Sequence, residues 1–568
     1  MNQRELKGLV SVARGEAPAD LLLTNARIIN TLTTEIEPGN VAIFRGRIAG
    51  IGGYQHAKQV IDLGSRYLAP GLIDGHIHTE SSLLHISQYA KAVVPRGVLA
   101  IVTDLHEIAN VSGMAGIKYV LRCAERLPLS LFLMAPSCVP ASHLETSGAR
   151  LTADDIQALG RKNTIGLGEV MNFPGVISGD SEMLLKIAVS RGKVIDGHAP
   201  GLGGKELNAY LSVGISSDHE SIALGEGKEK LDRGMHLMIR EGSSERNLDT
   251  LLPLVTDKTY HRCLFVVDDR SCVDLLREGD IDAVVRKAIR RGLDPVRALQ
   301  LATINPAGYF RLDSFGAIAP GYLANLIVIS DLAALQVDMV LYQGRVVAEG
   351  SKPLFSADVP RDENLCRSVN IKPFGMERLR IPAEQSTQPI IEIISGQIIT
   401  KKRYEEVKVE GSFILPDIKR DILKAVVVER HKATGNIGLG LVKGFGLNKG
   451  AIASSVAHDS HNIVAVGAND VDIFAAIKEI EKLQGGLAVA VEGQVLDSLP
   501  LPIAGIVSDQ PLEAVVNKLE NLEKIASELG CQLPSPFATL SFLALPVIPE
   551  LRLTDLGLID VEAFKLLK

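Results

Sequence analysis

The stretch Gly71-Leu-Ile-Asp-Gly-His76-Ile-His78 constrains this chain more than any other, because it runs an apolar segment directly into an H-x-H pair. On an extended strand, residues two apart point to the same side, so His76 and His78 present their imidazoles together to one ion at the end of a buried strand. Other apolar runs also end in ligand-type residues: Glu169 after Thr164-Ile-Gly-Leu-Gly, His198 after Val194-Ile-Asp-Gly, His219 after Gly214-Ile-Ser-Ser-Asp, and Asp268 after Cys263-Leu-Phe-Val-Val. One histidine after a β-type run is ordinarily a hydrogen-bonded structural residue. Five such runs in one region point instead to a shared site.

From residue 70 onward, short apolar runs alternate with helical stretches, the pattern of a parallel sheet built from β-α units. Candidate strands lie near residues 70–78, 98–105, 130–136, 164–169, 193–198, 213–218, 235–240 and 263–268. Between them, Ala153-Asp-Asp-Ile-Gln-Ala-Leu, Ser181-Glu-Met-Leu-Leu-Lys-Ile-Ala-Val and Asp280-Ile-Asp-Ala-Val-Val-Arg-Lys-Ala-Ile carry apolar residues at helical spacing. Eight units predict a closed (β/α)8 TIM-type barrel over residues 70–312, whose active site would lie at the C-terminal ends of the strands. His76, His78, Glu169, His198, His219 and Asp268 all fall at such ends.

At 568 residues the chain exceeds a single core. Residues 1–69 carry short β-type runs punctuated by Gly and Pro, predicting a small antiparallel module, and β character returns over 313–355. The two segments are expected to join as one discontinuous β-sandwich module around the barrel, followed by a C-terminal α+β domain over 356–568. The α/β class is thus a barrel with two additions.

Composition excludes several functions. A formal charge of −7, with Lys and Arg dispersed, gives no basic stripe for a nucleic-acid partner. No run approaches the length of a membrane span, and the N-terminus lacks the basic start and apolar centre of a secretory signal, so the expected location is cytoplasmic. The six cysteines are dispersed without a C-x-x-C pair and read as reduced thiols.

Histidine and carboxylate donors without thiolate suit divalent Mn, Fe(II) or Zn. A carboxylate has two oxygens, so Glu169 can bridge two ions, with His76, His78 and Asp268 on one and His198 and His219 on the other. Such a pair lowers the pKa of a shared water from 15.7 toward about 7. Asp268 beside that water is the natural proton acceptor and donor, with Asp269 orienting its neighbour or pairing with Arg270.

The H-x-H on strand 1, carboxylate on strand 4, histidines on strands 5 and 6 and aspartate on strand 8 resemble the amidohydrolase superfamily. Glu169 stands where many binuclear members carry a carboxylated lysine. Asp74-Gly-His-Ile-His-Thr-Glu-Ser-Ser, Val102-Thr-Asp-Leu-His-Glu-Ile-Ala-Asn, Gly168-Glu-Val-Met-Asn, Gly197-His-Ala-Pro-Gly, Ser217-Asp-His-Glu and the block from Val428 through Asn462 resemble, more closely, the bacterial adenine deaminase family. The likeness runs over nearly the whole chain. It implies two divalent ions (Mn or Fe(II) favoured, Zn as alternative) and a small-molecule purine base as partner. The implied reaction is hydrolysis of adenine to hypoxanthine and ammonia, with hydroxide attacking C6 and Asp268 shuttling the proton. A homo-oligomer, a dimer by preference, is expected. Protonation of purine N1 would fall to Glu80, Asp104, Glu107 or Glu220, and His106 joins these as a pocket residue. His458-Asp-Ser-His461 is expected either to close over the barrel as a lid, to hold an accessory metal, or to stabilise a Gly-rich turn. The alternatives are another binuclear amidohydrolase, opening cyclic amides or removing acetyl groups, and a barrel that serves only as a scaffold.

Overall fold

The computed structural model describes residues 1–567. Eight short parallel strands form the centre: β1 (Leu72–Asp74), β2 (Val98–Thr103), β3 (Ser130–Ala135), β4 (Gly166–Val170), β5 (Val194–Gly197), β6 (Ser217–Asp218), β7 (His236–Arg240) and β8 (Cys263–Val266). Strands β1 to β5 pair in sequence order, as do β6 to β8. The ring closes through two seams. Asp268–Asp269, beyond β8, pairs in parallel with Ile77–His78, beyond β1, and the Ser216 amide donates to the Ile195 carbonyl at 3.0 Å between β5 and β6. Val98–Thr103 is buried throughout, as expected where inward side chains fill a barrel and outward ones meet helices, so the strand reads as an unbroken apolar run. The helix Ile281–Arg290 buries Ile281, Val284, Val285 and Ala288, the spacing of one helical face.

Strands from both sides of the barrel segment share one nine-stranded sheet, in which Tyr67–Pro70 lies between Ala19–Ile29 and Leu326–Asp331. This sheet corrects the antiparallel expectation, since Ala57–Asp62 and Tyr67–Pro70 both run parallel to Ala19–Ile29. The 11-residue strand is long enough to take two short partners in line. Its first half pairs with Ala57–Asp62 and its second with Tyr67 and Leu68, the chain having returned past the hairpin Ile36–Gly52 to run alongside again. A helix, Gln3–Ala13, precedes the sheet where only β-type runs were expected. Its signal is a capping box, in which the Asn2 side chain accepts the Glu5 amide and Glu5 accepts the Asn2 amide.

An eight-stranded sheet dominates residues 387–500. Val426, Ala453, Ile463 and Ala465 pack under the helix Asp470–Leu483. The alternate residues Ala425, Val427, Ile452 and Val464 belong to an apolar cluster continuous with the barrel, so the two faces of the sheet serve different neighbours. All six cysteines are free thiols. Among the described residues no helix is long and apolar enough to cross a membrane.

Candidate metal centre

The strand tips converge. Glu169, at the end of β4, sits at the middle: one carboxylate oxygen lies 3.2 Å from His78 Nε2 and 4.0 Å from His76 Nε2, the other 2.6 Å from His198 Nδ1 and 3.1 Å from His219 Nε2. Asp268 Oδ1 stands 3.4 Å from His76 Nε2 and 3.2 Å from His78 Nε2. All six side chains except His198 are at most 6% exposed, a degree of burial that ionisable groups tolerate only with partners or a bound ion.

Local sequence explains this convergence. Asp74 Oδ1 accepts the amides of both His76 (3.1 Å) and Val267 (3.3 Å), tying the tip of β1 to that of β8. Asp268 adopts φ +67°, a left-handed conformation that costs a non-glycine residue on the order of 1–3 kcal/mol and tends to persist at functional sites. At Gly168 a Cβ would come within 2.6 Å of Asp104 Cβ, so glycine lets the tip of β2 lie against β4 beside Glu169. The Tyr210 hydroxyl donates to the Val170 carbonyl (2.8 Å) and accepts the His198 amide (3.0 Å), pinning β4 to β5. Lys230, fully buried, donates to the Ala199 carbonyl and to Asp218 Oδ2, both at 2.8 Å, and fixes the loop that carries His219.

The donor set fits divalent ions. Four donors at about 2.1 Å from a cation lie about 3.4 Å apart, and the spacings between the His78, Asp268 and Glu169 donor atoms fall near that value. His76 Nε2 is buried without a hydrogen-bond partner. Two groups, His76–His78–Asp268 and His76–Glu169–His219, each bring their donor atoms within 4.8 Å of one another. Burial raises the carboxyls of Glu169 and Asp268. For Glu169 the surrounding imidazoles outweigh burial, and for Asp268 the close approach of His76 and His78 and the Arg240 cation do so, leaving both well below the usual range. Burial lowers His219, but Glu169, Asp268 and Glu220 carry it up to about 9. The carboxylates thus attract positive charge to the spot where ions would bind.

The remaining candidates fall into distinct places. Asp104 Oδ1 lies 3.3 Å from His78 Nδ1 and 3.0 Å from His106 Nδ1, and His106 Nδ1 is 3.5 Å from Glu169, so these two adjoin the donors rather than an outer rim. Glu80 is buried, with Oε1 accepting the Ile108 amide at 3.3 Å. Glu220 is 3.5 Å from His219 Nε2. Glu107 is gripped by both His458 and His461, reaching across from the C-terminal sheet. Asp269 faces Ser81, while Arg270 bonds Gly279, Gly242 and Glu278 instead. Two charged residues of the cluster escaped the sequence reading. Arg240, the last residue of β7, binds Asp268 Oδ2 at 2.7 Å and Glu220 through both guanidinium nitrogens. Asp459, between the two C-terminal histidines, is 3.8 Å from His106 Nε2. A search for metal-ligand types passes over an arginine, although its place at a strand tip was visible.

Beside Asp269 and His458 opens a cavity of about 760 Å³ between the barrel mouth and the C-terminal sheet, lined by Ser81, Ser243, Phe537 and Phe542 among others.

Two family models match the chain: the amidohydrolase family over residues 67–347 and the adenine deaminase C-terminal domain over residues 397–565. The chain is 60% identical over 566 residues to an adenine deaminase of Dehalococcoides mccartyi, covering 100% of this chain and 99% of that one. It is 50% identical over 563 residues to adenine deaminase 2 of Carboxydothermus hydrogenoformans, covering 99% of each. To an adenine deaminase of Desulfatibacillum aliphaticivorans it is 47% identical over 559 residues, covering 98% of each.

Proposed function

The chain belongs to the adenine deaminase family, and we propose that it hydrolyses adenine to hypoxanthine and ammonia at the strand-tip cluster, where Glu169 would help to hold two divalent ions and Asp268 moves the proton. The carrying observation is the Glu169 carboxylate, one oxygen turned to His76 and His78 and the other to His198 and His219. His76, His78 and Asp268 would hold one ion and His198 and His219 the other, Mn or Fe(II) suiting the nitrogen and oxygen donors, with Zn the alternative. When bound, such a pair acts as a Lewis acid and supplies hydroxide near neutral pH.

The chain's own residues do the rest. Asp268, held ionised by His76, His78 and Arg240 against its burial, takes the proton of the attacking water and returns it to the departing amino group. Protonation at N1 of the purine falls to Glu80. Burial pushes its carboxyl above the ordinary carboxylate value, in the direction of the acid form, whereas neighbouring histidines outweigh burial at Asp104 and Glu107 and hold both below it. Glu220 is occupied by Arg240. The cavity beside Asp269 and His458 has the size of a small-molecule pocket and would admit the base.

In this reading the N-terminal strands and those of 313–355 act as one sandwich-like module around the barrel, and residues 356–568 form an α+β domain that covers its mouth. The test is ammonia release from adenine by metal-depleted protein titrated with Mn, Fe(II) or Zn. Turnover that returns with two equivalents supports the assignment. Turnover that needs no ion, or that appears only on cyclic imides, overturns it.

A further inference from the structure

A second group of donors lies where the barrel meets the C-terminal sheet. His106, Glu107 and Asp459 are each at most 4% exposed. His106 Nε2 stands 3.5 Å from Glu107 Oε1 and 3.8 Å from Asp459 Oδ1. Neither contact is a hydrogen bond, yet both approximate the roughly 3.4 Å that separates donors around one cation.

The surroundings orient these donors as in known metal sites. The other nitrogen of His106, Nδ1, faces Asp104 Oδ1 at 3.0 Å, the carboxylate–histidine pairing that leaves Nε2 with its lone pair toward a metal. The Ala457 amide donates to His461 Nδ1 at 3.1 Å. This fixes the neutral tautomer with its proton on Nε2, so His461 donates to Glu107 Oε2 and is not itself a ligand. His458 Nδ1 bonds the other oxygen of Glu107. Both histidines therefore aim Glu107, and Asp459, which they flank, completes the set. Asp459 Oδ2 is buried with no hydrogen-bond partner, and an unpaired buried carboxylate oxygen is costly unless a cation answers it.

We propose that His106 Nε2, Glu107 and Asp459 hold a further divalent cation, separate from the Glu169 pair, that fastens the loop carrying His458 and His461 onto the barrel mouth. Nitrogen and carboxylate donors without sulfur place it in the Mn, Fe(II) and Zn class. The competing occupant is a proton on His106, which would make an imidazolium among Asp104, Glu107 and Asp459. The site is argued from its own donors and does not depend on the reaction proposed above.

The experiment uses the full chain loaded with Mn. Anomalous diffraction at the manganese edge is expected to show a peak about 2.2 Å from His106 Nε2, Glu107 and Asp459. Metal content by mass spectrometry is expected to fall by one equivalent in Asp459→Ala relative to the unaltered chain, and in the isosteric Asp459→Asn the peak should weaken. A map of the unaltered protein without density among those three residues leaves His106 as an imidazolium and overturns the site. Equal metal content in the unaltered chain and a folded Asp459→Ala does the same.

Discussion

Arg240→Met removes one cation from the candidate site without replacing a proposed ligand. Arg240 is 5% exposed and its guanidinium sits between two carboxylates, 2.7 Å from Asp268 Oδ2 and, through Nη2, 3.1 Å from Glu220 Oε2. Unit charges about 4 Å apart at an effective dielectric constant near 20 interact by about 4 kcal/mol. Removing one partner of a buried pair, which strands the other in low dielectric, costs about 3–5 kcal/mol. The metal-depleted variant should therefore unfold at clearly lower urea concentration. A second consequence concerns pH. Burial raises Asp268, and the nearby His76 and His78 imidazoles together with Arg240 hold it down. Without the arginine its carboxyl moves up, so the ionised form that accepts a proton is lost at higher pH as the solution is acidified. Ammonia release from adenine measured against pH should show the acidic limb displaced upward in the variant, with the alkaline side unmoved. An acidic limb identical to that of the unaltered protein, together with an unchanged urea midpoint, would refute both the coupling and its magnitude.

Glu80→Gln removes the group assigned to protonate N1 and should lower kcat about 10²- to 10³-fold while metal content stays constant; a loss below about threefold takes Glu80 out of the reaction. Lys230→Met leaves Asp218 buried without its cation, and thermal unfolding should register a loss of about 3–5 kcal/mol, whereas an unchanged melting temperature would mean that Asp218 finds another partner. Glu523, raised to about 7 mainly by burial, has a folded-state value above the unfolded one, so ionisation opposes folding. Its penalty is absent below pH 4.5 and grows as pH rises through 7. Glu523→Gln should stabilise the protein by about 2 kcal/mol at pH 8 and by nothing at pH 4, and equal effects at both pH values contradict that sign.

The barrel was legible because its strands are buried on both faces and so read as unbroken apolar runs, with Val98–Thr103 the clearest case. The convergence of His76, Glu169, His198, His219 and Asp268 follows from the same pattern, since a parallel barrel brings every strand end to one face. What pattern could not carry was pairing between distant segments. Glu107 meets His458 across 351 residues, and no periodicity marks that contact. Arg240 reads locally as the polar end of an apolar run, and only the ring of strands sets it between Asp268 and Glu220. The two in-line parallel partners of Ala19–Ile29 were likewise hidden, because register is decided by which strand edge the returning chain meets.

The most direct test of the account is the metal content and turnover of Glu169→Gln. An amide cannot offer equal negative oxygens to the His76–His78 side and the His198–His219 side, so the variant should fold, bind at least one ion fewer than the unaltered chain, and lose about 10³-fold or more in rate, equivalent to about 4 kcal/mol. A folded Glu169→Gln protein with full metal content and turnover within about tenfold of the unaltered chain would contradict the shared carboxylate on which the site is built.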